Sequence, residues 1–383
     1  MKKLSILTSL LLCPISASAM TAFDTRSVGM GGTGVASANF LTSSFHNPAL
    51  AAKDQENHGF GFILPMVGAR VHDGNDTIDK IDTFIDLDDE LQFNPNDQQL
   101  IEEWRQALRA VDNGTVNVEA NVGMAIAIPN SLLSTNFFTK GQLTTIAVVN
   151  VDDRDLANND PSKGDIYSSA QAVGGAVLDV GFTFAREVTL GEHAFLLGIS
   201  PKFQQIYALN YVESLREMED GSSFDWEDNY TEKSAFNLDL GVSYDVSERV
   251  NVGFSARNLI SQELLTNETL GETATFLVEP EYVLGVNYDR NWVRLAADFD
   301  LTSKKYLKEF DYKTQYARFG AEFDAWGWAQ LRTGYMLSMT DHADDLVSLG
   351  LGFRPWGVLG LDIAAQMGSD NNYGVSAQIA FTY

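Results

Sequence analysis

Cysteine is almost missing from this chain. The single example in 383 residues, Cys13, falls inside the opening apolar run. The rest of the chain therefore has no thiol for a disulfide framework or for thiolate chemistry. The residue before it is Leu12, not the small side chain that a lipoprotein signal requires. Basic residues are also scarce, with 26 Lys and Arg against 52 Asp and Glu, a formal net charge of −26. A surface of that sign repels phosphate backbones, which argues against nucleic acid as a partner. There are five histidines, His46, His58, His72, His193 and His342. Only His46 lies beside hydroxyls, Ser43 and Ser44, and there is neither a G-x-S-x-G nor another nucleophile signature. No catalytic role and no cofactor are expected. Beyond the first residues there is no apolar run of about 18 residues, so no spanning helix is expected. Crossing by strands remains open.

Met1 to Ala19 has the layout of a secretory signal peptide: Lys2 and Lys3, an apolar stretch from Leu4 to Ile15, then Ala17-Ser18-Ala19 before the cleavage point. At the other end, Asn372 to Tyr383 alternates strictly. Tyr373, Val375, Ala377, Ile379, Phe381 and Tyr383 share one face, and Asn372, Gly374, Ser376, Gln378 and Thr382 the other. A period of two means a strand with one apolar and one polar face. A terminal aromatic on an exposed edge is a hazard in a soluble sandwich. It is at home at the lipid boundary of a closed barrel.

The same alternation recurs. Phe236, Leu238, Leu240, Val242 and Tyr244 oppose Asn237, Asp239, Gly241, Ser243 and Asp245. Val293 to Leu301 and Leu359 to Met367 behave alike. Strands are expected at about 59–71, 115–129, 137–151, 168–187, 193–212, 233–246, 250–262, 278–290, 292–302, 313–324, 328–340, 345–354, 358–368 and 372–383. That makes fourteen, many of them long enough to cross a hydrocarbon core when tilted. With the C-terminus in the periplasm, the connections on that side are short, such as Arg290-Asn291 and Pro355-Trp356-Gly357. Most of those on the other side are long, and this asymmetry belongs to outer-membrane barrels. The expected fold is all-β: a 14-stranded antiparallel transmembrane β-barrel with an N-terminal periplasmic plug, in the outer membrane of a Gram-negative bacterium. The divisions are 1–19 signal peptide, 20–56 plug and 57–383 barrel.

The outer connection 72–114 is acidic, with Asp73, Asp76, Asp79, Asp82, Asp86, Asp88, Asp89 and Glu90. One amphipathic helix is expected in it, capped near Asn96 or Asp97 and presenting Leu100, Trp104, Leu108 and Val111 on one face. The run Asp86 to Glu90 offers hard oxygen atoms but lacks the glycine and spacing of an EF-hand, so it reads as a solvated acidic face rather than a metal site. Inward faces carry charges of both signs, including Asp179, Lys202, Asp239, Arg257, Glu281, Arg294, Asp298, Asp300, Arg318, Glu322, Arg332 and Asp362. A solvated or salt-bridged wall is the simplest reading.

Ser27 to Ala52, S-V-G-M-G-G-T-G-V-A-S-A-N-F-L-T-S-S-F-H-N-P-A-L-A-A, resembles the plug of the FadL-type long-chain fatty acid and hydrocarbon transporters. Asn47-Pro48-Ala49 matches the N-P-A that closes that plug before the first strand. Over its whole length the chain is similar to the conjugal-transfer TraF-like outer-membrane group. The acidic first loop, Val283 to Tyr288 and Leu331 to Tyr335 carry that similarity. The thioredoxin-like TraF is a different protein and would need a C-x-x-C that is absent. The resemblance implies a plugged barrel for passive transport of small hydrophobic molecules, the ligand meeting Phe40, Leu41, Phe45, His46, Asn47, Pro48 and Leu50. The competing reading is a non-conducting interaction or assembly protein working through its acidic outer loops. Lipopolysaccharide, a small hydrophobic ligand and a protein bound at the outer loops are the expected partners.

Overall fold

The computed structural model describes residues 23–53, 59–219, 229–310, 312–341 and 343–383. The expected signal peptide, the outer parts of the expected plug at 20–22 and 54–56, His58 and His342 lie outside them.

Fourteen of the strands close into one barrel, each hydrogen-bonded to its neighbours. In chain order they are β1 (Gly61–His72), β2 (Thr115–Ile128), β3 (Ser134–Asn150), β4 (Ser169–Leu190), β5 (His193–Ser214), β6 (Tyr230–Ser247) and β7 (Val250–Arg257). Two short strands, β8 (Gln262–Leu265) and β9 (Thr275–Val278), make a separate hairpin. The barrel resumes with β10 (Glu281–Arg290) and β11 (Val293–Asp300), and β12 (Lys304–Lys305) with β13 (Lys313–Thr314) form a second small hairpin. It finishes with β14 (Tyr316–Ala325), β15 (Ala329–Ser338), β16 (Leu346–Phe353), β17 (Leu359–Met367) and β18 (Asn372–Thr382). Closure is made by β18 on β1, with Phe62 opposite Phe381 and Gly61 opposite Thr382. The Tyr383 carbonyl accepts from Gly59 and Phe60 N–H, so the terminal aromatic leaves no free edge.

The alternation read from the sequence sorts the faces. On β6, Phe236, Leu240 and Val242 are exposed while Asn237, Asp239 and Ser243 are buried. On β16, Val347, Leu349, Leu351 and Phe353 are exposed in turn. An apolar outside and a polar inside is the inverse of a soluble fold and fits a barrel standing in hydrocarbon. Aromatic rings gather beside the short turns. Trp326 stacks on Trp328 at 5.8 Å, Trp328 meets Phe353 edge-on at 5.5 Å, and Phe195 stacks on Tyr244 at 4.9 Å. Amphipathic rings favour that boundary.

The wall is uneven. β16 and β17 have 8 and 9 residues, about the length needed to cross. β4 and β5 have 22 each, about 70 Å of strand, so that side stands well above the membrane.

Three expectations change. The strand placed at 250–262 leaves the barrel after Arg257, where Asn258 takes a left-handed conformation (φ 52°), and the one placed at 278–290 starts at Glu281. The acidic connection holds two helices rather than one, Thr77–Phe93 and Gln98–Val111. The first was hidden because its acidic residues dilute the apolar positions Ile81, Phe84, Ile85 and Leu91, which nevertheless fall on one buried face. The second is capped by Asp97, whose carboxylate accepts from Gln99 and Leu100 N–H.

Candidate functional site

Residues 23–53 run through the lumen at the short-turn end, and their side chains are almost all buried. Small residues and glycines deny the segment a regular element longer than a helix of five residues, α1 (Thr25–Gly29). Local caps set its course instead. Asp24 accepts from Ser27 N–H at 3.1 Å. The Asn47 amide donates to Val35 O at 2.8 Å and to Val242 O at 3.1 Å, while its Oδ1 accepts from Ala49 N–H at 3.1 Å. Asn47 therefore ties two parts of the segment together and both to the wall. Pro48 then opens the turn Pro48–Ala52, which packs on β4, β5 and β6 and buries Leu50.

The wall makes room with glycine. Gly198, Gly241, Gly253, Gly285, Gly320, Gly334 and Gly350 occupy inward positions on β5, β6, β7, β10, β14, β15 and β16, with Ala296 filling the place on β11. A Cβ on Gly334 would lie 2.0 Å from Gly31 N, one on Gly198 2.3 Å from Ala49 N, and one on Gly253 2.4 Å from Val35 O. The segment thus lies backbone-to-backbone along a glycine track spanning eight neighbouring strands.

Charges fasten what the track admits. Arg26 meets Glu322 with Nε to Oε2 at 2.8 Å and Nη2 to Oε1 at 3.1 Å. Glu322 also accepts from Arg332 Nε at 2.7 Å and Arg294 Nη1 at 2.9 Å. Arg332, fully buried, reaches Asp362 at 2.5 Å. Asp298 accepts the N–H groups of Gly34 and Val35 at 2.7 and 2.9 Å. Further up, Lys202 sits between Asp179 at 3.1 Å and Asp239 at 2.9 Å. Arg257 pairs with Glu281 at 2.8 Å and Arg318 with Asp300 at 2.6 Å. A charge buried this deeply is tolerable only when paired. The lumen is therefore salt-bridged rather than solvated, and Arg294 alone among these arginines is a third exposed.

One seam of this interior is apolar. Phe23, Phe40, Leu41 and Phe45 pack against Ile63, Met66, Ala125, Ala127 and Phe138 of β1, β2 and β3. Phe23 and Phe45 stack at 5.1 Å, and Phe45 meets Phe138 edge-on at 6.2 Å. The seam lies behind a bulge in β1, where the register with both neighbours shifts between Ile63 and Met66. His46 turns away from it to Asp24, at 2.5 Å. The Ser43 hydroxyl donates to Phe40 O, and Ser44 accepts from Thr183.

At the outer end the hairpins fold over the mouth. Phe276, Tyr306 and Leu307 pack on Ile146, Val173 and Ile206 of the tall wall. Above them the two cap helices close around Trp104, whose indole N–H donates to Asp88 at 2.8 Å. Arg216 pairs with the same carboxylate through Nε and Nη2, both at 2.8 Å. That hydrogen bonding raises the guanidinium pKa above its ordinary value, against the opposing effect of burial. Asp88 is thus an internal brace, and among the described residues no three His, Cys, Asp or Glu side chains are grouped to hold a metal ion.

Residues 44–300 match the family described as "F plasmid transfer operon, TraF, protein". The chain belongs to this family. No curated protein sequence matches it. Among solved structures, this TraF-family barrel is similar to the Pseudomonas putida toluene transporter TodX, at 10% identity and a TM-score of 0.56, over 96% of this chain and 99% of TodX. It is similar also to the CymD monoaromatic hydrocarbon channel, at 12% identity and a TM-score of 0.56, over 96% and 98% of the two chains. The shared fold is the FadL-type outer-membrane barrel.

Sequence reasoning missed Arg26, the one guanidinium supplied by the inner segment, and the glycine track. A signal for the track was present: Gly285 and Gly334 sit inside the two strand segments that carried the TraF resemblance, each at an inward position.

Proposed function

We propose that this barrel passes small hydrophobic molecules across the outer membrane. The observation that carries the reading is the aromatic seam between the inner segment and β1–β3, which sets apolar side chains beside an interior rich in ion pairs. Two barrels of the same architecture are described as a toluene transporter and a monoaromatic hydrocarbon channel, which supports a ligand of that class. In this scheme the solute leaves water among Phe276, Tyr306 and Leu307, then exchanges packing with Phe40, Leu41 and Phe45. Leu50 and Pro48 line the exit, Asn47 and the His46–Asp24 pair hold the course of the segment, and Asp298, Glu322 and Arg332 keep it seated so that ions stay out. Residues 20–56 act as the plug.

The test is toluene uptake into vesicles with a lipopolysaccharide outer leaflet, comparing the native barrel with Phe45→Trp, which fills the seam without adding charge. Uptake is expected to fall about tenfold, the equivalent of ~1.4 kcal/mol, with the heat-modifiable folded band unchanged. Equal uptake by a folded variant would sink the proposal. A second reading, a non-conducting interaction protein, draws on the tall β3–β6 wall that lifts an acidic two-helix cap clear of the membrane. A partner crosslinked stoichiometrically to the cap, with no solute flux, would favour it.

A further inference from the structure

The two hairpins at the mouth hold together as one body. β8 with β9 and β12 with β13 are sheets separate from the barrel, and they pair with each other instead. Leu277 N–H donates to Tyr306 O at 2.8 Å, and Lys308 N–H to Thr275 O at 3.0 Å. Glu309 accepts from the Thr275 N–H and hydroxyl at 2.7 and 2.8 Å, and Lys308 pairs with Glu263 at 2.9 Å. β9 therefore has a backbone partner on both sides, and neither partner belongs to the wall.

Contact with the wall is of another kind. Among the described residues, no backbone–backbone hydrogen bond joins residues 261–280 to a barrel strand. Phe276, Tyr306 and Leu307 pack on Ile146, Val173 and Ile206. At the far tip, one residue of β5 holds the first hairpin. The Asn210 amide donates to Asn267 O at 3.2 Å and to Glu272 O at 3.1 Å, while Asn210 O accepts from the Thr269 hydroxyl at 3.1 Å. At the near end the stem is pinned. The Asn237 side chain accepts from Ile260 N–H at 3.0 Å and donates to Ile260 O at 2.9 Å. The chain is free to turn only beyond that point, at Ser261, and on its return before Glu281.

We propose that the paired hairpins are a hinged lid over the mouth, with Asn210 as its clasp. An element tied to its surroundings by side chains alone opens at lower cost than a strand held in a ladder. The lid's own ladder keeps it intact as it lifts. A hydrophobic solute entering beneath it replaces the contacts that Phe276, Tyr306 and Leu307 give up, and so favours the open state. As a gate for solute the lid rests on the transport reading; as a moving part it does not.

Thr144 of β3 lines a cavity of about 30 Å³ beneath the lid with Phe276 and Tyr306, and is 5% exposed. The experiment is thiol labelling of the full chain in vesicles, in a Cys13→Ala background. Thr144→Cys should react slowly with a charged maleimide. Adding Asn210→Ala, which removes two donated hydrogen bonds, should speed the reaction about tenfold. Ser255→Cys, beneath the inner segment at His46, should stay slow in both. Fast labelling with Asn210 intact, no acceleration without it, or acceleration shared by Ser255→Cys would each overturn the lid. If Thr144→Cys does not fold, Val177→Cys in the same cavity takes its place. For the gate, Asn210→Cys and Asn267→Cys bridged by a short reducible crosslinker should cut toluene uptake several-fold until reductant is added. Uptake that is present but indifferent to the bridge overturns the gate and leaves the transport reading standing. Absence of uptake in every state sinks the transport reading, and the labelling rates then decide the lid alone.

Discussion

The inner segment lies inside this barrel and the outer cap sits at its other end, and they are held by opposite means. The inner segment lies in a largely polar lumen, where its main apolar contact is the seam at Phe45, with smaller ones at Val28 and Ala51–Ala52. Elsewhere it is fixed by backbone contact over glycine and by carboxylates such as Asp298 and Glu322. The cap sits beyond the membrane in water, and there the hydrophobic effect works in the usual direction: Phe84, Leu91, Trp104 and Leu108 are packed out of solvent. The solvent on the far side of each surface chooses the chemistry that holds it. A segment in the lumen needs complementarity of shape and charge, whereas a cap needs only an apolar face.

That contrast can be broken at three points. The largest effect is expected from Gly334→Val on the track, where a side chain must displace the Gly31 backbone. Overpacking against backbone on this scale should cost more than about 4 kcal/mol, seen as loss of the heat-modifiable folded band. A variant that folded normally would mean that the segment is not seated as described. Next comes Arg332→Met, which leaves Glu322 and Asp362 short of a partner inside the wall. The expected loss is about 3–5 kcal/mol in denaturant unfolding, and a neutral result would remove the charge half of the comparison. The smallest is Trp104→Phe, which deprives Asp88 of the indole donor. It should cost about 1–3 kcal/mol, confined to the cap and visible as faster proteolysis of Thr77–Val111 while the barrel resists. If the barrel unfolded with it, the cap would not be a separate unit.

Much of the barrel was legible because membrane strands obey a simple rule. One face meets lipid and the other does not, so alternation in segments such as Phe236 to Asp245 reports both the strand and its orientation. Turn lengths separated the two ends of the barrel, short turns at one and long connections with the cap helices at the other. Strand ends were less legible: β7 stops at Arg257 because Asn258 turns away, and no periodicity encodes that. The helix Thr77–Phe93 was missed because more than half its residues are polar and its apolar face is narrow, while Gln98–Val111 was visible from Leu100, Trp104, Leu108 and Val111. In the candidate site, Asn47 and Pro48 could be singled out by motif and Phe45 as an apolar residue beside them. Arg26 could not, since a lone arginine in a glycine-rich stretch carries no sign of its partner nearly three hundred residues away.

The sequence alone determined that the chain forms a closed sheet in a membrane, since periodicity is local and every strand carries its own copy of the instruction. It also determined that the lumen is charged. Which charges meet, that Glu322 gathers three guanidinium groups, and that seven separate glycines align into one track were decided only by tertiary structure. Those contacts join residues remote in the chain, and only barrel closure with its particular register brings them within reach.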